Sequence, residues 1–165
     1  MFDFWEFYKE LSVRTSYFDN YWDQFPQGRL LRFKKETLSL LRDVVEKKDA
    51  VKLSNIIAII FNDGADKDYT DILLPLLGEK WHTSEEDIVE VLELIKDPKS
   101  VDKLYETAIN IPDYDDMRSL AKKCMWALSA IKTPEAIEKL KLLQTIDDQI
   151  IKENAVFQLA NLSKS

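Results

Sequence analysis

Two stretches of this chain, residues 85–104 and 121–140, overlay at a spacing of 36 residues, and that duplication limits what the chain can fold into. Ile88 falls on Cys124, Val91 on Ala127, Leu92 on Leu128 and Ile95 on Ile131. Past a shared proline, Val101 falls on Ile137 and Leu104 on Leu140. The first four positions of each copy have helical spacing and form one apolar stripe. Asp97-Pro98 and Thr133-Pro134 each place a capping oxygen ahead of a proline, whose missing N–H costs nothing in a first turn. Proline also disfavours helical geometry in the residue before it, so one helix ends where the next begins. Two helices joined by so short a corner fold back on each other. A single hairpin of this kind cannot bury its stripe alone, and copies must stack.

The same reading extends along the chain. A helix is expected over residues 29–48, with Leu30, Leu31, Leu38, Leu41, Val44 and Val45 as its core face. Asp49 is placed to cap a helix over residues 50–61, and residues 62–68 read as a polar corner. A helix around residues 72–77 is expected to kink at Pro75. Thr83 and Glu86 have capping-box spacing ahead of a helix ending at Lys96. Further helices are expected over residues 99–110, 117–131, 134–144 and 148–162, the last repeating residues 123–131 at a step of 31. Residues 1–33 hold 11 of the 18 aromatics. Phe4, Trp5, Tyr8 and Leu11 form one stripe, and Tyr17, Phe18, Tyr21, Trp22 and Phe25 another, as expected of a cap over the end of a helical stack, with a dedicated aromatic binding surface as the alternative. The chain therefore reads as one all-α domain over residues 1–165, with a cap over 1–48 and repeats over 49–165.

Charge is distributed unevenly. Residues 1–61 carry 9 acids and 10 bases, residues 62–116 carry 16 acids and 5 bases, and residues 117–165 carry 5 acids and 8 bases. An acidic middle argues against a nucleic-acid partner, because phosphate binding needs clustered Lys and Arg. No apolar run approaches the length of a membrane span, and no membrane partner is expected. The opening residues lack the basic head and cleavage site of a secretory signal, and one cysteine suits a reducing compartment, so cytoplasm is the expected location.

No catalytic motif stands in the sequence, and neither a cofactor nor a metal is expected. His82 has no second His or Cys at ligand spacing and reads as a surface corner residue beside Trp81. Cys124 sits on the core stripe and reads as a small hydrophobe. Residues 62–68 have the composition of a calcium loop without its ligand order, since Leu74 stands where a glutamate is needed. Only three glycines are present, too few for a phosphate-cradling loop. Glu86, Glu90 and Glu93 share a helix face, and each like-charge neighbour costs about 0.2–0.5 kcal/mol. That face is either simply solvated or a contact for a basic partner. Trp126 aligns with Glu90 and, by the 31-residue step, with Phe157, off the core stripe, where it either anchors a partner or packs between repeats. With Trp81, His82, Asp115 and Asp116, these residues form the candidate partner-binding set.

The Asp-Pro and Thr-Pro corners, the Ile-Leu-Leu-Pro-Leu-Leu run at 72–77 and the later Ala-Leu-Ser-Ala-Ile at 127–131 resemble HEAT repeats over residues 49–162. The periods are short and the arginine-rich helix starts of that family are missing. The resemblance implies a short right-handed α-solenoid of about four hairpins with a concave binding face, acting as a non-enzymatic interaction module. Small acidic members of this kind resemble immunity proteins, which implies a toxin domain as the partner, and the acidic middle of the chain points to a basic surface on that partner. The alternatives are an enzyme or lyase that uses the groove as a pocket and a HEAT-like nucleic-acid-binding protein.

Overall fold

The computed structural model describes residue 31 and residues 33–164, which are all-helical, with eight α-helices and no strand among them. The N-terminal aromatic stripes, and Leu30 of the expected core face, lie outside the described residues. The chain divides into two compact units between Ala65 and Asp66.

In the first unit, α1 (Lys34–Lys47) and α2 (Ala50–Asp63) pack together as a hairpin. Leu38, Leu41 and Val44, three residues apart, form the buried face of α1, while Val45 at its margin is half-buried. Lys48 takes a left-handed conformation (φ 52°) and ends the helix. Asp49 then accepts the Lys52 amide at 3.1 Å and starts α2. With only two residues between them, the helices must run antiparallel. Helix α2 continues past Phe61 into the expected polar corner, because Asp63 has a use inside the fold. Its carboxylate, 1% exposed, accepts the Phe33 amide at 3.1 Å, and its carbonyl accepts the Leu31 amide at 2.9 Å.

The second unit opens with a 3-10 turn, Lys67–Tyr69, and a single α-turn, α3 (Thr70–Leu73). Pro75 lacks an amide hydrogen and crowds the preceding turn, so the expected kinked helix is instead a break into 3-10 geometry at Leu74–Leu76. Helix α4 (Glu85–Ile95) starts at Ser84, one residue later than a Thr83 cap would set it, and no side chain caps it. The expected capping box does not form. Three acids in the first turn, Glu85, Glu86 and Asp87, face the positive end of the helix instead.

Helices α5 (Val101–Ile109), α6 (Ser119–Ile131), α7 (Pro134–Leu143) and α8 (Gln149–Leu162) complete the unit. The duplicated corners are built alike. Lys96 and Lys132 are left-handed (φ 55° and 60°) and end α4 and α6. Asp97 then accepts the Lys99 amide at 3.1 Å and Thr133 the Ala136 amide at 3.2 Å, with the proline at the start of the next helical segment. Lys48 makes the same left-handed step without a proline. A non-glycine residue in this conformation costs about 1–2 kcal/mol, which the caps and the packing on either side must offset.

Helix α6 is the hub of the second unit, in contact with α4, α5, α7 and α8; α7 also meets α5 and α8. Ile88, Val91, Leu92 and Leu104 are fully buried, as are their matched positions Cys124, Ala127, Leu128 and Leu140. Val89 and Met125, also 36 residues apart, are fully buried too. The single-stripe expectation missed this second face, because these helices have neighbours on two sides. The match loosens at the ends, where Ile95 and Ile137 are half-buried while Ile131 and Val101 are buried.

Candidate functional site

The second unit contains an open cleft of about 700 Å³. Leu77, Leu120 and Ile111 give it apolar surface, and α5 contributes Lys103 and Glu106, with Asn110 just past its end. The turn after Leu77 and the start of α4 supply Glu79, Lys80 and Glu85, and the loop after α5 supplies Asp113 and Tyr114. Gly78 shapes this rim with φ +95°, a conformation that would strain any side-chain-bearing residue. Four carboxylates and two ammonium groups thus line the cleft, and its field is negative. The phenol of Tyr114, although 67% exposed, is pushed up, by partial desolvation first and then by Glu85, Asp115 and Glu86. Solvent screens charges at that exposure, so the informative part is the sign of the field around the ring.

His82 belongs to the cleft floor, and the expectation of a surface corner residue is corrected. It is 5% exposed, and both ring nitrogens are engaged. Nδ1 accepts the Ser84 amide at 3.1 Å, which requires a proton on Nε2, and Nε2 donates to the Leu76 carbonyl at 3.1 Å. The imidazole therefore ties the 3-10 turn to the start of α4. Trp81, half-buried, meets it edge-on with ring centroids 4.7 Å apart.

Asp115 is also occupied in the fold. Only 5% exposed, it accepts the amides of Ser119 at 2.6 Å and Leu120 at 3.1 Å and so caps α6. Arg118, left-handed at φ 56°, donates from Nη1 to the Asp115 carbonyl and from Nε to Asp148, both at 2.7 Å. Asp148 in turn caps α8 through the amides of Ile150 and Ile151. Burial would raise the Asp148 carboxyl, but the Arg118 guanidinium and the two amides outweigh it and hold it below its ordinary value. Asp116 is exposed beside this network.

The glutamate face of α4 is partly neutralised from α6. Lys123 of α6 reaches Glu86 at 2.9 Å and Glu90 at 2.5 Å. Burial opposes the lysine's charge, yet the two carboxylates hold its ammonium above the ordinary range. Nothing in the local sequence marks this pairing, because Lys123 lies 33 positions beyond Glu90. Trp126, one turn further along α6, is 41% exposed. Cys124 is fully buried, and that burial pushes its thiol far above its ordinary value. Among the described residues, no group of three or more His, Cys, Asp or Glu side chains is placed to hold a metal.

Among the described residues Glu93 is in no ion pair of the Glu86 and Glu90 kind, and its carboxyl is raised by desolvation first and then by Glu90, with Lys96 opposing. A raised carboxyl contributes stability below its ordinary value and loses it as pH rises through the folded value. Glu93→Gln is therefore expected to stabilise the protein at pH 7, by the order of 0.2–0.5 kcal/mol that one like-charge neighbour costs. The difference should close once pH falls below about 4.3, the ordinary glutamate value. Urea denaturation of parent and variant at both pH values checks it, and a less stable variant at pH 7 would contradict it.

Sequence reasoning named Trp81, His82, Glu86, Glu90, Glu93, Asp115, Asp116 and Trp126; of these, only His82 lines the cleft. Glu79, Glu106, Asp113 and Tyr114 went unnamed, although the charge excess over residues 62–116 includes the three acids. No family model, no curated protein and no solved structure matches the chain.

Proposed function

We propose that the chain is a non-enzymatic protein-binding module that takes a basic surface of another protein into the acidic cleft of its second unit. The observation that carries this reading is the cleft itself, open to solvent, with Glu79, Glu85 and Asp113 on its rim in no ion pair among the described residues. Tyr114 offers a ring face beside them, a setting suited to a lysine or arginine side chain. Complementary charge of this kind accelerates encounter and orients the partner. The engaged nitrogens of His82 and the buried thiol of Cys124 also favour a binding role over a catalytic one.

The packing of α4 and α5 on α6, and of α6 and α7 on α8, supports reading this unit as a short HEAT-like α-solenoid. In its narrowest form the proposal is an immunity protein that occludes a basic toxin domain.

Titration with a lysine- and arginine-rich peptide, followed by amide chemical shifts, tests the reading. Shifts should concentrate at residues 78–85 and 103–114, fade at high salt, and be missing with an acidic peptide of equal length. Shifts confined to other surfaces at low salt would overturn it.

A further inference from the structure

We propose that the outer face of α8 is a self-association surface, on which a second copy of this chain packs its own α8 antiparallel. This proposal does not depend on the acidic cleft. Ile151, Ala155 and Gln158 form the buried side of α8. The opposite side exposes Glu153, Val156, Phe157, Ala160 and Lys164, with Val156 at 49% and Phe157 at 59%. A valine and a phenylalanine adjacent on one solvent face give this side an apolar centre.

The spacing of the exposed residues identifies the occupant. Residues 153, 157, 160 and 164 follow steps of four, three and four, the seam of a helix pair. Ser163 keeps right-handed helical geometry and the Lys164 amide bonds the Asn161 carbonyl at 3.2 Å, so Lys164 sits in a tightened turn just past α8, close to the end of the seam. With a two-fold axis midway between Gln158 and Leu159, Phe157 of one copy meets Ala160 of the other, large against small. Glu153 then meets Lys164 of the second copy at each end. The charges flanking the apolar centre are thus opposite under this operation, and a parallel pairing would set like against like. Gln149 donates to Glu153 at 2.6 Å, which holds that carboxylate on the outer face. Such a contact is isologous, as closed dimers require. One helix pair is small for an interface, so the dimer should be in exchange with monomer.

Sedimentation equilibrium of the full chain over a range of concentrations tests this. The parent should show a mass rising from monomer to dimer. Phe157→Glu, at a position exposed enough to leave the fold intact by circular dichroism, should weaken dimerisation about tenfold or more. Lys164→Glu alone should also weaken it, and Glu153→Lys added to Lys164→Glu should recover it. A parent that is monomeric at every concentration overturns the proposal, including the case in which some other protein occupies this face. A dimer indifferent to Phe157→Glu, or not recovered by the double charge reversal, overturns it as well.

Discussion

Truncating Leu128 to alanine is expected to lower the free energy of unfolding by about 2–5 kcal/mol. Leu128 is fully buried on α6, the helix that touches α4, α5, α7 and α8, so no single neighbour can collapse into the space left behind. The cost combines the lost transfer of an isobutyl group with the cavity it vacates, and the second part is largest where surroundings are held from several sides. Leu92, the matched residue on α4, is equally buried and should respond in the same range. Chemical denaturation of both variants measures this. Losses below about 1 kcal/mol at both positions would contradict the packing of the two copies against each other.

Replacing Asp115 by alanine should cost about 2–3 kcal/mol, from a residue that sequence alone marked as a partner contact. Its carboxylate holds the Ser119 and Leu120 amides at the start of α6, and its carbonyl holds Arg118. Alanine leaves two amide donors of the hub helix without their acceptor in a site only 5% exposed. Asn keeps one acceptor oxygen and should recover part of the loss, whereas Asp116→Ala at the exposed neighbour should stay within about 0.5 kcal/mol. Equal stability of the Asp115→Ala and Asp116→Ala variants would contradict the cap.

Much of the helical framework was legible because its signals are local. Helical spacing found the α1, α4 and α6 stripes, and Asp49, Asp97 and Thr133 cap where their oxygens precede a helix start. Val89 and Met125 were not legible, because a two-sided environment leaves no one-stripe pattern. Nor were the left-handed lysines, since Lys48, Lys96 and Lys132 are not residues whose chemistry favours positive φ.

The site was less legible for the same reason. A charge count cannot separate acids that hold the fold together from acids that face solvent. Asp63, Asp97 and Asp115 are buried among hydrogen bonds, and Glu86 and Glu90 share Lys123, so part of the excess over residues 62–116 is internal. His82 read as a surface residue because a lone histidine beside a tryptophan carries no local sign of the Leu76 carbonyl and Ser84 amide that hold it. The cleft draws on three separated segments, and only tertiary packing brings them together.

The central claim is that the cleft, rather than the α4 glutamate face, receives a basic partner. Two triple variants separate these surfaces: Glu79→Gln, Glu85→Gln and Asp113→Asn in one, and Glu86→Gln, Glu90→Gln and Glu93→Gln in the other. Association rates would be measured at low and high salt with a partner protein captured by the parent chain. The cleft triple should slow association by about tenfold or more at low salt and flatten its salt dependence, because steering is a rate effect of exposed charge. The α4 triple should change the rate less, since Lys123 pairs with two of its three carboxylates and offsets part of their charge. An unchanged on-rate in the cleft triple, with the α4 triple slowed, would contradict the claim.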